Sequence, residues 1–146
     1  MVAGEGYVIG FDFGLKHLGI AVGQTVTGTA SGLSTLKARN GKPNWSEIDE
    51  LLVQYRPIAI VVGLPLNMDG SDSHISQRAS TFAQRIARHA HLPTYLADER
   101  LSSWAAKDDD VLTGDIHARS ACLIAETFLN DFSVCLPVKT KLHHTT

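Results

Sequence analysis

The segment from Tyr7 to Gly23, YVIGFDFGLKHLGIAVG, most constrains the fold. Two apolar runs, Tyr7 to Phe13 and Leu18 to Val22, are separated only by Gly14-Leu15-Lys16-His17. Strands joined so closely can form an antiparallel pair, whereas a parallel pair needs a crossover of a dozen residues or more. A third strand-like run, Gly28 to Leu36, follows a turn at Thr27-Gly28 and extends the pair into a meander. The pattern then changes period. Asn44 opens a helix with the stripe Trp45, Ile48, Leu51, Leu52 and Tyr55, and Glu47 fits a capping-box variant; Arg56-Pro57 closes the helix. Ile58 to Val62 is apolar on both faces, as a central parallel strand would be.

Gly63 to Gly70 (GLPLNMDG) reads as a loop, Ser73 to Ala90 as a helix, Thr94 to Ala97 as a short strand and Leu101 to Lys107 as a short helix. A longer helix runs from Asp115 to Phe132, with Ala118, Ala121, Cys122, Ala125, Phe128 and Leu129 as its buried stripe. This order predicts an α/β protein with a mixed five-stranded sheet, three antiparallel strands and then two parallel ones, flanked by helices on both faces. The length of 146 residues suits one domain, 1–138, with a polar flexible tail at 139–146.

The formal net charge of −2 argues against a general nucleic-acid coating protein. It does not exclude a nuclease, since a carboxylate metal site brings its own cations to the phosphates. Cys122 and Cys135 form no secretory framework, the N-terminus lacks a basic, long-apolar leader, and no apolar run approaches the ~20 residues that span a bilayer. The expectation is a soluble, cytoplasmic protein with no membrane partner.

Asp12 stands in a strand among Val8, Ile9, Phe11 and Phe13, where an acid is disfavoured and costly to bury without a partner. A metal ion is one such partner; capping of the turn at Gly14 is the alternative. Glu99, in Asp98-Glu99-Arg100, follows a strand at the end where open α/β sheets place ligands, and could meet Asp12 if the two strands are neighbours. Paired carboxylates there favour magnesium or manganese, and Arg100 could orient a phosphate. Asp115 and His117 open the last helix: Asp115 suits an N-cap, and His117 a ligand, a base or a plain first-turn residue. Gly63 suggests close passage of backbone. Arg78, Arg85 and His89 share a helix face, and Lys16, Lys37, Arg39 and Lys42 cluster in the first third; each group is a solvated face or a phosphate track.

Together GFDFGLKHLGIAVG, VVGLPLNMDG, LADERLSS and the alanine-rich last helix resemble the YqgF family, from about Val8 to Leu129. Its members are described as Holliday junction resolvases and as nucleases that mature the 5′ end of pre-16S ribosomal RNA. The resemblance implies a ribonuclease H-like fold and a metal-dependent nuclease using Mg2+ or Mn2+. Asp12 and Glu99 match two family acids. The third acid aligns with His117, so His117 or Asp115 takes that role. Lys16, Gly63, Arg78 and Arg100 are the substrate-binding candidates. The acidic stretch Lys107 to Gly114 and Ala105 depart from the family pattern.

The expected partner is pre-ribosomal RNA, with branched DNA as the alternative, bound by a monomer or weak homodimer. A catalytically weakened RNA-binding assembly factor is the rival on the same fold. A nucleotide-binding ATPase or sugar-kinase lobe is disfavoured by the presence of one domain and one D-x-G motif.

Overall fold

The computed structural model describes residues 4–99 and 115–139. The strands are β1 Tyr7–Phe13, β2 His17–Gln24, β3 Thr29–Arg39, β4 Lys42–Pro43, β5 Ala59–Leu64, β6 Thr94–Asp98 and β7 Cys135–Pro137. The helices are α1 Trp45–Tyr55, α2 His74–Ala90 and α3 Ile116–Asn130, with a 3-10 turn at Phe132–Val134. The expected short helix at 101–107 and the 107–114 stretch lie outside the described residues, as does Arg100.

The sheet order is β4-β3-β2-β1-β5-β6-β7. β1, β2 and β3 form the antiparallel meander, and β1-β5-β6 are parallel. The expected five strands are therefore present in the expected senses. Two short edge strands, β4 against β3 and β7 against β6, make the sheet seven-stranded. Each is only two or three residues long and contains a proline, Pro43 or Pro137, which confines it to an edge.

Period-2 alternation sorts the side chains into two cores. Ile9, Phe11, Phe13, Leu18, Ile20 and Val62 pack with Ile48 of α1 and Phe82 and Ile86 of α2. Val8, Ala59, Val61 and Ala97 pack on the other face with Ile124 and Phe128 of α3. Helix α3 lies almost on the sheet backbone. A Cβ on Gly10 would stand 2.9 Å from the Ala121 carbonyl oxygen, and one on Gly19 only 2.1 Å from that of His117. Glycine on the strands and alanine on the helix permit this approach, which sets where the first turn of α3 falls.

The caps follow from local chemistry. Asn44 accepts from the Ser46 amide, and Arg56 ends α1 in the left-handed region before Pro57. Ser73 and Ser76 cap α2 reciprocally. Gly63 and Leu64 belong to β5 rather than to the loop, because both pair in register with Ala97 and Asp98 of β6. On α3 the buried set includes Ser120 and Ile124, whereas Cys122, expected to be buried, is half-buried and directs its thiol to the Ala30 carbonyl at 3.2 Å. Cys135 is the buried thiol, and burial pushes its pKa up to about 11.

Candidate active site

Asp12 and Gly19 are register partners across β1 and β2, and Asp12 faces α3, as Gly10 does. Glu99 follows the last residue of β6. The two strands are not neighbours, since β5 runs between them. The acids nevertheless hydrogen-bond side chain to side chain. Gly63 on β5 explains how. A Cβ at that position would lie 3.3 Å from Glu99 Oε2 and 2.4 Å from Ile124 Cδ1, so only glycine leaves the space through which Glu99 reaches across β5. The condition that the strands be adjacent was thus unnecessary.

Electrostatics at the pair are severe. Glu99 is 8% exposed. Burial, then the hydrogen bond to Asp12, then the charges of Asp12 and Asp98 push its pKa up to about 10. Burial also raises Asp12, partly offset by the bond from Glu99 and by His117. Without a cation the pair keeps a proton, with Glu99 donating and Asp12 accepting.

Asp115 and His117 separate cleanly. Asp115 is exposed, accepts from the Ala118 amide at 3.1 Å and the Thr35 hydroxyl at 2.8 Å, and caps α3. The Ala118 amide bond is the main cause of its lowered pKa. His117, two residues on, is the one whose charge is felt by Asp12. Its ring stacks on His17, with centroids 4.5 Å apart and planes at 18°. His17 was not among the sequence candidates. The available signal was parity, since His17 shares a strand face with Gly19 and therefore with the His117 turn.

Of the remaining candidates, Lys16 is exposed in the turn after β1, and its carbonyl accepts from the Ala38 amide at 2.8 Å. Arg78 lies on the opposite sheet face and does not join the acids; its Nη2 donates to the Asn40 carbonyl at 2.6 Å. His89 leaves the supposed basic face to pair with Asp49 and pack on Trp45.

Among the described residues no group of three or more His, Cys, Asp and Glu gathers tightly enough to hold a metal ion. The donor set is therefore two carboxylates, with an imidazole near one of them. That set fits magnesium or manganese, because such ions are commonly held by one or two carboxylates and complete their shell with water and substrate phosphate.

A mixed sheet with an antiparallel meander, helices on both faces and a hydrogen-bonded carboxyl pair at the ends of its parallel strands defines a ribonuclease H-like α/β protein. Solved structures agree on the fold. Thermus thermophilus RuvC in complex with a Holliday junction substrate superposes with a TM-score of 0.57 at 22% identity, covering 90% of this chain and 98% of that one. The same protein in a separate structure gives 0.56 at 19% identity, covering 90% and 99%. The family described as "RuvX: Holliday junction resolvase" matches residues 6–131, and the chain belongs to it. Two relatives carry the name "Putative pre-16S rRNA nuclease". The one from Pseudomonas putida is 49% identical over 73% of this chain and 76% of its own length. The one from Glaesserella parasuis is 44% identical over 86% and 97%. The resemblance to the YqgF family is borne out, and the family is one of nucleases. No helix among the described residues is long and apolar enough to cross a membrane.

Proposed function

We propose that this chain is a divalent-cation-dependent nuclease that trims the 5′ end of the 16S ribosomal RNA precursor in the cytoplasm. The names of its relatives support the substrate. The observation that carries the chemistry is the mutually hydrogen-bonded pair of half-buried Asp12 and buried Glu99. Asp12 and Glu99 would hold the cation, with the His117 imidazole close enough to act on Asp12 electrostatically and Asp115 left to its cap. A two-carboxylate donor set suits magnesium and manganese alike. A divalent cation supplies Lewis acidity, activating water and stabilising the departing oxygen of a phosphodiester.

The chain's own residues do the rest. Glu99 must release its proton before both carboxylates can serve as ligands, so loading is coupled to proton release. Lys16, exposed in the adjoining turn, meets the phosphate backbone, as does Arg100. Gly63 keeps the path between the acids open. His17 holds the His117 ring by stacking and limits its rotation.

A second reading, resolution of four-way DNA junctions, draws on the family description. It requires two sites related by a two-fold axis, hence a dimer, whereas RNA trimming needs one acid pair. A cleavage panel tests both. Purified protein is given a 5′-extended 16S precursor fragment, single-stranded RNA and a four-way DNA junction, each with Mg2+ and with Mn2+. The expected result is cation-dependent cleavage of the precursor, lost in Asp12→Asn. Symmetric cleavage of the junction alone would establish the second reading. RNA binding with no cleavage under either metal would establish the assembly-factor rival.

A further inference from the structure

A cleft of about 390 Å³ opens on the α1/α2 face, where the end of β1 meets the β3–β4 hairpin. Three cations line it, Lys42, Arg78 and Arg85, together with Phe13, Trp45 and Phe82. No described carboxylate lines it, although the whole chain carries a net charge of −2, so positive charge is locally segregated. Arg78 is held in place by its 2.6 Å bond to the Asn40 carbonyl. Gly41 makes room for it. A Cβ there would stand 2.8 Å from Arg78 Nη2 and 2.9 Å from Phe13 Cζ. Phe13 and Phe82 are buried under the floor of the cleft, and Phe82 packs against Phe13 and Trp45 at centroid separations of 5.5 and 6.0 Å, so the half-buried Trp45 is the ring that reaches the opening.

The cleft is linked to the acid pair through β1. Phe13 follows Asp12 and points to the opposite sheet face, so the two sites lie back to back at one strand end. The turn carrying Lys16 bridges them, because the Gly41 amide donates to the Leu15 carbonyl at 2.9 Å. A strand leaving the acid pair would pass Lys16 and enter the cleft.

We infer that this cleft is a subsite for a single-stranded stretch of nucleic acid. Arg78, Arg85 and Lys42 hold its backbone phosphates, and the half-buried Trp45 ring at the opening meets an unpaired base. A basic groove with aromatic walls is how proteins hold single strands, and guanidinium forks match phosphate geometry. A paired base would not be free to meet that ring, which selects single-stranded over duplex substrate. The inference rests on the nuclease reading and specifies how that site would take its strand.

The test uses fluorescence anisotropy with a labelled single-stranded 12-mer RNA, its abasic counterpart and a duplex of the same length. Arg85→Glu and Thr81→Glu alter exposed positions lining the cleft; Arg56→Glu makes the same charge reversal at the end of α1, away from it. Expected are a loss of about tenfold or more in affinity for the two cleft variants, a shallower salt dependence for Arg85→Glu, and little change for Arg56→Glu. In a Trp104→Phe background, Trp45 emission should be quenched by the RNA and less by the abasic strand. Melting curves confirm that the variants are folded. Binding that survives both cleft substitutions, tighter binding of duplex, or unchanged Trp45 emission overturns this inference alone. Failure of the unaltered protein to bind any of the oligonucleotides overturns the RNA-trimming reading with it.

Discussion

The Asp12–Glu99 pair and the Asp115 cap place the same chemical group in opposite settings. Asp115 is exposed and receives the amide that a helix N-terminus offers, so its pKa falls below the ordinary value. Asp12 and Glu99 are enclosed by α3 and the sheet and have each other as partner, so both pKa values rise. One acid stabilises the fold by being charged. The other two oppose the fold if both are charged and nothing positive joins them. Acids of the second kind fit a cation site, and acids of the first kind fit structure.

The largest effect should come from removing one member of the pair. Asp12→Asn or Glu99→Gln should lower cleavage by more than ~100-fold, beyond the 10–100-fold that loss of an outer partner of a metal site costs. Asp115→Asn, which keeps a capping oxygen, should stay within a few-fold of the parent. Steady-state cleavage of the precursor fragment checks all three, and equal losses would erase the distinction.

Next in size is the backbone approach that positions His117. Gly19→Ala places a Cβ 2.1 Å from a helix carbonyl oxygen that cannot swing away. It should cost about 1–3 kcal/mol or more in urea denaturation. Gly63→Ala meets the end of Ile124 and Glu99 Oε2 instead. It should be milder in stability and should weaken cation binding, read by Mn2+ titration.

The two kinds of acid give pH dependences of opposite sign. Glu99, raised to about 10, keeps its proton in the fold and loses it in the unfolded chain above about pH 4.5. The folded state then binds more protons, so the metal-free protein should lose stability as pH rises from about 5 towards 9. The slope is at most about 1.4 kcal/mol per pH unit for one proton. Asp115 acts in the opposite sense, its contribution present above its unfolded value and lost as pH falls through the lowered one. Denaturation in chelator across this range should show the Glu99 trend, and Glu99→Gln should flatten it. The smallest effect is Asp115→Ala, about 1 kcal/mol from loss of the cap.

Much of this was legible in the sequence. The run Tyr7 to Phe13 is β1 as expected, and Asp12 stood out because acids rarely sit in apolar strands. Glu99 was legible from its place beyond a parallel strand. How the acids meet was not, because the route over Gly63 depends on which strand lies between them, a non-local fact. The His17–His117 stack was hidden for the same reason: residues a hundred apart meet only once α3 lies on β2. The edge strands β4 and β7 were too short to show alternation.

Whether Asp12 and Glu99 form a divalent-cation site is decided by calorimetric titration of Mn2+ at pH 7.5 in two buffers of different ionisation enthalpy. Expected is saturable binding accompanied by proton release, both abolished by Asp12→Asn and by Glu99→Gln and retained in Asp115→Asn. Binding of equal strength in the Asp12→Asn protein, or no binding by the unaltered protein with or without substrate RNA, would contradict such a site.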